Sequence, residues 1–318
     1  MQTKSILKAF KIVFSGIDNA GKTSYLIALK EKYGFLDKIL NLKPTKFIEY
    51  SSWTLMGKYV LNFWDMGGQK EFREQYLENQ LYFDDTDIVL YLIDIQDESS
   101  FEESLNYLFD VLNIYRKTNY KNEIIVCFHK YDPGHKDTKV FWERKKTLVE
   151  NIIDANPDMK FQFFNTSCYN LYSLTNALSY VLKKQLKMGS LDRKLREFTK
   201  KISGDYAILF SSQGLIISDY FEIDISTYEI NSVIFKKMND DLAYFQKYLD
   251  GEMKNDEKTE VVDQYLTLVK NFSVESLIDD EKPENYFLSL RSLNKEENKA
   301  LIQANLPTIL KELKAIII

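Results

Sequence analysis

Short apolar runs alternate with longer stretches of helical periodicity through the first part of the chain. Five runs have the length and the β-branched and aromatic content of buried strands: FKIVFSG, YVLNFWD, IVLYLID, EIIVCFH and KFQFFNTS. Between the third and the fourth run, Phe101, Leu105, Leu108 and Leu112 recur at the spacing of one helix face. Strands that alternate with amphipathic helices in this way predict a wound α/β sheet.

The pattern changes near Met188. The helical stretch LYSLTNALSYVLKKQLK is followed by Gly189, which we expect to end that helix, and by Ser190, which we expect to cap the next one. This change predicts a domain boundary, with a first domain over residues 1–188 and a second domain over residues 189–318.

The second domain is predicted to contain, in order, a helix, a hairpin, another helix, further strands and a last helix. The hairpin is formed by YAILF and LIISDY around the turn SSQG, and the later strands are YLTLVKNF and NYFLSLRSL. The charged segments GEMKNDEKTE and DDEKPEN are predicted loops, and the last helix begins near Asn294. The first helix carries the apolar positions Leu191, Leu195, Phe198 and Ile202.

The second of these helices carries a long apolar stripe. Its start, from Ser226 to Glu229, has the spacing of a capping box. The stripe faces either the sheet of its own domain or a second subunit, and the sequence leaves both alternatives open. Its members are Ile230, Ile234, Met238, Leu242, Phe245 and Leu249.

Charge and termini limit the classes of function. The chain of 318 residues has a formal net charge of -5, whereas a general nucleic-acid binder needs clustered Lys and Arg. The start lacks the apolar segment of a cleavable signal, Gln2 stands where myristoylation needs glycine, and no prenylation box ends the sequence. We therefore expect a cytoplasmic protein without a lipid anchor, which would reach a membrane only through a partner.

A phosphate-binding loop is predicted between the strand FKIVFS and the helix SYLIALKEKY. Residues 16–23 read GIDNAGKT and fit the pattern G-x-x-x-x-G-K-[ST], in which glycines let backbone N–H groups converge on an anion at a helix start. Lys22 would reach the outer phosphates and Thr23 would offer its hydroxyl to Mg²⁺. The alternative is a glycine-bearing turn without a ligand. The predicted phosphate-binding residues are Asp18, Asn19, Ala20, Gly21, Lys22, Thr23 and Ser24.

Two strand ends carry residues suited to a guanine base. In CFHKYDPG, the stem of Lys130 can lie along the base, and the carboxylate of Asp132 offers two acceptors for the adjacent N–H groups of guanine, which adenine lacks. In NTSCYN, Ser167 and Cys168 would bring backbone N–H groups to the guanine carbonyl. Taken alone, the motif HKYD could also be a solvated turn.

The stretch NFWDMGGQKEF predicts contacts with the third phosphate. Asp65 ends a strand and can hold Mg²⁺ through water, Gly68 can donate its N–H to the γ-phosphate, and Gln69 can orient the attacking water. Thr45, in LKPTKFIEY, would complete the Mg²⁺ ligands, unless it is an ordinary strand threonine.

Together the motifs GIDNAGKTS, WDMGGQ, HKYD and TSCYN resemble those of Ras-superfamily small GTPases of the Arf and Rag/Gtr branches. The similarity to Rag/Gtr proteins includes His129, which stands in place of the more usual Asn and by that resemblance contacts the nucleotide. The resemblance implies a mostly parallel six-stranded sheet flanked by helices, followed by an α/β roadblock/longin-like domain. It also implies GTP and GDP as ligands, Mg²⁺ as cofactor, and hydrolysis in which Lys22 neutralises charge and Gln69 positions water.

The resemblance further implies protein partners. These are GTPase-activating and exchange proteins, a second subunit bound through the C-terminal domain in a homodimer or heterodimer, and a roadblock-type scaffold. The switch segments would be residues 40–50 and 65–80. The alternative function is a nucleotide-holding scaffold with negligible hydrolysis, whose C-terminal domain mediates assembly.

Overall fold

The structure is a computed structural model that describes residues 7–31, 35–132, 138–186, 188–223, 228–275 and 283–317. These residues divide into two units. The first unit comprises residues 7–54 and 59–177, and the second comprises residues 55–58 and the described residues from 178 onward. The domain boundary at residue 188 stays a prediction.

Strands and helices are interspersed along the chain as far as residue 185. The elements are β1 (Lys8–Ser15), α1 (Lys22–Glu31), α2 (Phe35–Leu40), β2 (Ile48–Leu55), β3 (Tyr59–Met66), α3 (Lys70–Glu78), β4 (Ile88–Asp94), α4 (Phe101–Lys117), β5 (Ile124–His129), α5 (Thr138–Ala155), β6 (Phe161–Asn165) and α6 (Leu171–Gln185).

The six strands form one sheet in the order β2-β3-β1-β4-β5-β6. β1 pairs in parallel with β3 on one side and with β4 on the other, and β4, β5 and β6 continue in parallel. Every residue of β4 and β5 is buried, as expected for strands covered on both faces. Open sheets of this kind bind ligands beyond the carboxyl ends of their strands, where the strand order reverses, which here is at β1.

The predicted α/β sheet is confirmed. All five apolar runs form strands, and the helix predicted around Leu105 and Leu108 is α4. The sixth strand is β2, at the edge of the sheet. No apolar run marks its position, because only Ile48 and Leu55, at its two ends, are buried.

The second unit contains an antiparallel sheet with three helices of its own. The elements are α7 (Gly189–Lys201), β7 (Gly204–Ser211), β8 (Ile216–Phe221), α8 (Tyr228–Leu249), β9 (Glu257–Val262), β10 (Tyr265–Val274), β11 (Glu284–Leu293) and α9 (Glu296–Ile317). The strand order is β8-β7-β11-β10-β9, and all of the neighbouring strands are antiparallel. The predicted order of helix, hairpin, helix, strands and helix is therefore present.

Two local predictions in this part of the chain are wrong, and three others are not tested. The segment GEMKNDEKTE is not entirely a loop, because its last four residues begin β9; the alternating charges Glu257, Lys258 and Glu260 suit an exposed edge strand. Ser190 does not cap α7, since Met188 occupies the N-cap position and its side chain makes no capping hydrogen bond. The capping box at Ser226, most of the segment DDEKPEN and the side chain of Ile230 lie outside the described residues.

The apolar stripe of α8 packs against its own sheet. Ile234, Met238, Leu242 and Phe245 are buried. The ring of Phe245 stacks on Phe287 of β11, with centroids 4.1 Å apart, and it also contacts a ring of β7. Of the two alternatives that the sequence left open, the structure shows the intrachain contact.

Candidate functional site

The predicted phosphate-binding loop connects β1 to α1 at the centre of the sheet. Its backbone turns through conformations that favour glycine: φ is +143° at Gly16 and +88° at Gly21. A Cβ atom on Gly16 would lie 2.6 Å from the carbonyl oxygen of Leu92 in β4. Asp18 and Asn19 are exposed at the tip, whereas Ala20 is buried. The glycines therefore let the loop lie directly against the sheet while the tip stays accessible.

Lys22 lies across this loop. Its ammonium group donates hydrogen bonds to the carbonyl oxygens of Gly16 at 2.9 Å and Ile17 at 2.8 Å. Burial lowers the pKa of Lys22 to about 8, although Asp65 and Asp18 act in the opposite direction. A buried ammonium group that has only neutral carbonyls as hydrogen-bond acceptors would be stabilised by an anion bound nearby.

Three oxygen-bearing side chains from separate segments meet beside the loop. The hydroxyl of Thr23 donates to Asp65 Oδ2 at 2.6 Å and lies 2.7 Å from the hydroxyl of Thr45, which is itself 3.4 Å from the same carboxylate oxygen. Asp65 Oδ1 is buried and has no hydrogen-bond partner among the described residues. Burial raises the pKa of Asp65. Hydroxyl and carboxylate oxygens are the ligands that Mg²⁺ prefers, and the unpartnered carboxylate oxygen fits the role of a cation ligand.

The segment after β3 contacts the phosphate-binding loop directly. A Cβ atom on Gly68 would lie 2.4 Å from the backbone of Ile17 and Asp18, so only glycine fits at this approach. The N–H group of Gly67 donates to the carbonyl of Phe47 at 2.6 Å, which ties this segment to the one that carries Thr45. Gln69 is half-buried, occupies the N-cap position of α3, and makes no capping hydrogen bond with its side chain.

Sequence reasoning missed an arginine in this region. Arg73 is buried, and its Nε donates to the carbonyl of Gly68 at 2.9 Å. Its guanidinium also pairs with Glu103 and lies over the ring of Tyr107, 5.0 Å from the centroid. Because Glu103 and Tyr107 belong to α4, these contacts hold α3 and the Gly68 carbonyl against a fixed helix. Only the register of α3 against α4 brings the pair together, and no local motif signals it.

The predicted base-binding residues also come together. Ser167 donates its hydroxyl to Asp132 Oδ1 at 2.6 Å, and Lys130 pairs with Asp94 Oδ2 at 2.6 Å. Lys130 has a φ of +59°, a conformation that L-residues seldom adopt. Asp94, the buried last residue of β4, and Gln96, two positions further on, were not predicted as site residues.

His129 lies behind the phosphate-binding loop. Its ring is buried, with Nδ1 3.0 Å from the hydroxyl of Thr166 and Nε2 3.6 Å from the Sγ of Cys168. A Cβ atom on Gly21 would lie 2.5 Å from the ring, so the imidazole supports that glycine from below. Burial, and to a lesser degree Lys130, lowers the pKa of His129 to about 3. The ring is therefore neutral near pH 7 and connects the phosphate loop with the two base loops.

This arrangement defines the class of protein. Proteins with a P-loop place a glycine-rich turn between a central parallel strand and a helix, and use a lysine on the outer phosphates. Among them, an aspartate on the loop after a later strand is suited to guanine. The first unit has the fold of a small GTPase domain.

Comparisons with known proteins agree. A family model described as the Gtr1/RagA G protein conserved region matches residues 11–235, and the chain belongs to this family of GTP-binding switch proteins that hydrolyse GTP. The chain is 30% identical to GTP-binding protein gtr1 of Schizosaccharomyces pombe over 217 residues, which cover 66% of this chain and 68% of that protein. It is 28% identical to Ras-related GTP-binding protein A of Dictyostelium discoideum over 240 residues, covering 71% and 76%.

Other matches are less extensive. Ras-related GTP-binding protein B of Rattus norvegicus is 28% identical over 195 residues, which cover 59% of this chain and half of that protein. Among solved structures, the Arl6 BBS3 small GTPase of Trypanosoma brucei with bound GppNp matches with a TM-score of 0.46 and 18% identity, covering 57% of this chain and 99% of the other. Within the described part of the chain, no helix is both long enough and apolar enough to cross a membrane.

Proposed function

We propose that the chain is a Mg²⁺-dependent GTPase switch in which Lys22, Thr23, Thr45, Asp65 and Gln69 carry the chemistry. The observation that carries this proposal is the meeting of three oxygen-bearing side chains from three segments beside a buried lysine. Two of those segments, which carry Thr45 and Asp65, belong to the regions expected to respond to the third phosphate. A GTPase needs this convergence because its catalysis consists of positioning and charge stabilisation.

Each residue of the site has a specific task in this proposal. Lys22 is buried with only carbonyl acceptors, so it gains a charged partner when phosphate oxygens arrive. Thr23, Thr45 and Asp65 would hold Mg²⁺, which supplies positive charge to the phosphates when it is bound. Gln69 makes no capping bond with its side chain, so its amide is available to orient a water molecule.

The structure of the site favours a switch over a static nucleotide holder. Gly67 and Phe47 are hydrogen-bonded to each other, and Gly68 touches the phosphate loop, so one ligand at that loop would order both segments at once. Limited proteolysis separates the switch from the scaffold alternative. A switch predicts different cleavage within residues 40–50 and 65–80 in the GDP and GTP-analogue states, whereas a scaffold predicts the same pattern in both.

The catalytic part of the proposal is tested by Gln69→Leu. We expect GTP affinity to stay nearly the same and single-turnover hydrolysis in the presence of Mg²⁺ to fall, because leucine cannot orient water. The matched control is Gln75→Leu on the exposed face of α3, which makes the same chemical change away from the loop. Equal hydrolysis rates for the wild type and Gln69→Leu would exclude Gln69 from catalysis.

A regulatory protein is also part of the proposal. Ras-type proteins without an arginine finger turn over on the order of 10⁻⁴ s⁻¹. Arg73, four residues after Gln69, is held by the Gly68 carbonyl and by Glu103, so it is not free to act as that finger. An activating protein is therefore needed for rapid hydrolysis, and an exchange protein is needed to replace GDP. Members of this family work with regulators and form heterodimers.

We assign assembly to the second unit, as a roadblock/longin-like domain that binds a second copy of this chain or a related subunit and, through it, a roadblock-type scaffold. Its edge strand β9 pairs with β10 on one side, and Val261 and Val262 are 52% and 57% exposed. An exposed apolar strand edge is suited to pairing with a strand from another chain. Sedimentation of the full chain tests this: we expect a homodimer, or a monomer that dimerises when a related subunit is added.

A further inference from the structure

The carboxylate of Asp132 is held from two sides. Ser167 donates its hydroxyl to Oδ1 at 2.6 Å, and the side-chain amide of Gln96 donates to Oδ2 at 2.9 Å. Ser167 belongs to the loop that the sequence predicted for the base, whereas Gln96 lies just beyond β4, 36 positions before Asp132. The carboxylate plane is therefore defined by two donors from two different loops.

Gln96 is itself held by hydrogen bonds on its backbone N–H, its backbone carbonyl and its side-chain amide nitrogen. Its Nε2 donates a second hydrogen bond to the carbonyl of Lys130 at 2.8 Å, so both of its amide protons have acceptors. Its backbone N–H donates to Asp94 Oδ1 at 3.0 Å, and its carbonyl accepts from Arg144 at 3.0 Å. These hydrogen bonds restrict rotation of the Gln96 side chain, so its amide N–H stays directed at Asp132 Oδ2.

Arg144 extends this support to α5. Its guanidinium donates to the carbonyls of Ile95 and Gln96 and forms an ion pair with Glu98 at 2.8 Å. Arg144 therefore fixes the segment that follows β4. Through Gln96, this segment fixes the Asp132 carboxylate. The chain of contacts runs from a rigid element to the group that meets the base.

Recognition of guanine requires the carboxylate in one orientation. Each carboxylate oxygen has about two acceptor directions, and Ser167 and Gln96 occupy one on each oxygen. One direction remains on each oxygen, so the carboxylate can still accept one hydrogen bond on each oxygen from two adjacent N–H donors of a purine edge. Without Gln96 the carboxylate can rotate about its bond, and the pair of acceptors is no longer presented together.

We propose that Gln96 is a positioning residue for base selection, and that it makes the Asp132 carboxylate specific for the adjacent ring and amino N–H donors of guanine. This inference rests on the proposed role of Asp132. It assigns to Gln96 a role that no motif in the sequence signals, because the residue lies two positions beyond β4, outside the motifs that predict the base-binding loops.

The test uses the full chain with GDP and with inosine diphosphate, which lacks the amino group of guanine. Gln96→Met removes both amide donors at a similar size. We expect it to weaken GDP about tenfold and inosine diphosphate much less, because only the two-donor base needs both acceptors in place. Gln96→Glu, which places a second carboxylate against Asp132, should reduce the GDP preference at least as much. Gln303→Met, an exposed glutamine on α9, is the control.

The outcomes separate this inference from the proposal on which it rests. If Asp132→Asn leaves the preference for GDP over inosine and xanthosine diphosphates unchanged, the base-binding role of Asp132 is wrong. Suppose instead that Asp132→Asn changes that preference, while Gln96→Met weakens the binding of GDP and of inosine diphosphate equally or leaves both unchanged. Gln96 then has only a structural role, and the inference is overturned. A selective loss for GDP in both Gln96 variants supports it.

Discussion

Acidification should destabilise this protein through His129. The ring is buried between the phosphate loop and the base loops, and burial lowers its pKa from 6.5 to about 3. Its Nδ1 is 3.0 Å from the Thr166 hydroxyl, and Gly21 packs against its edge. A proton on this ring would therefore introduce a buried charge beneath the phosphate loop, with the Lys130 ammonium nearby as a further unfavourable charge.

The sign and the size of the effect follow from the two pKa values. The unfolded chain takes up the proton near pH 6.5, whereas the folded chain resists it until about pH 3. The stability that the neutral ring contributes is complete above pH 6.5 and is lost as the pH falls towards 3. Between pH 7.5 and pH 5.5 the expected loss is about 1.3 kcal/mol in the free energy of unfolding.

Urea denaturation at saturating GDP, followed at pH 7.5 and at pH 5.5, measures this loss. His129→Asn removes the titrating ring. The loss of unfolding free energy between pH 7.5 and pH 5.5 should therefore be smaller in this variant than in the wild type, by about 1.3 kcal/mol. The control is His135→Gln, which removes the only other histidine of the chain and should keep the wild-type pH dependence. The same pH dependence in His129→Asn and the wild type would refute the reasoning, as would a loss of it in His135→Gln.

Two further substitutions test the packing of the site and of the second unit. Gly68→Ala would place a methyl group 2.4 Å from the phosphate-loop backbone, so the segment must move away; we expect GDP binding to persist and the GTP-analogue protection of residues 65–80 from protease to disappear. Asp241→Asn would deprive Lys237 of its buried partner, because Asp241 is 0% exposed and pairs with that ammonium group. Its free energy of unfolding in urea should fall by about 3 kcal/mol, whereas Asp240→Asn on the exposed face should leave it unchanged.

Sequence alone predicts those parts of the site whose residues are neighbours in the chain. The phosphate loop is contiguous from Gly16 to Thr23, and its strand and helix are visible in the apolar pattern, so both the loop and its place in the fold could be predicted. Gln69 and Asp132 were also marked by short motifs at strand ends. Which residues touch which, however, is set by strand order, and a local pattern does not encode it.

The elements and contacts that were missed share that cause. Arg73 meets Glu103 across 30 positions, and Gln96 meets Asp132 across 36, each through the packing of separate elements. The first four residues of β9 are predicted as a loop because charges dominate them, although an exposed edge strand tolerates charge on both faces. Local composition describes how a segment is solvated, and the sheet to which it belongs decides whether it is a strand.

The most direct measurement is the identity of the nucleotide that the purified protein carries. The full chain is denatured, and the released small molecules are separated by ion-exchange chromatography against nucleotide standards, with the protein quantified in the same sample. The Asp132 loop and the phosphate loop predict GDP or GTP at close to one per chain, and no comparable adenine nucleotide. Recovery of ADP or ATP at that level, or failure of the emptied protein to rebind GDP in the presence of Mg²⁺, would contradict the account.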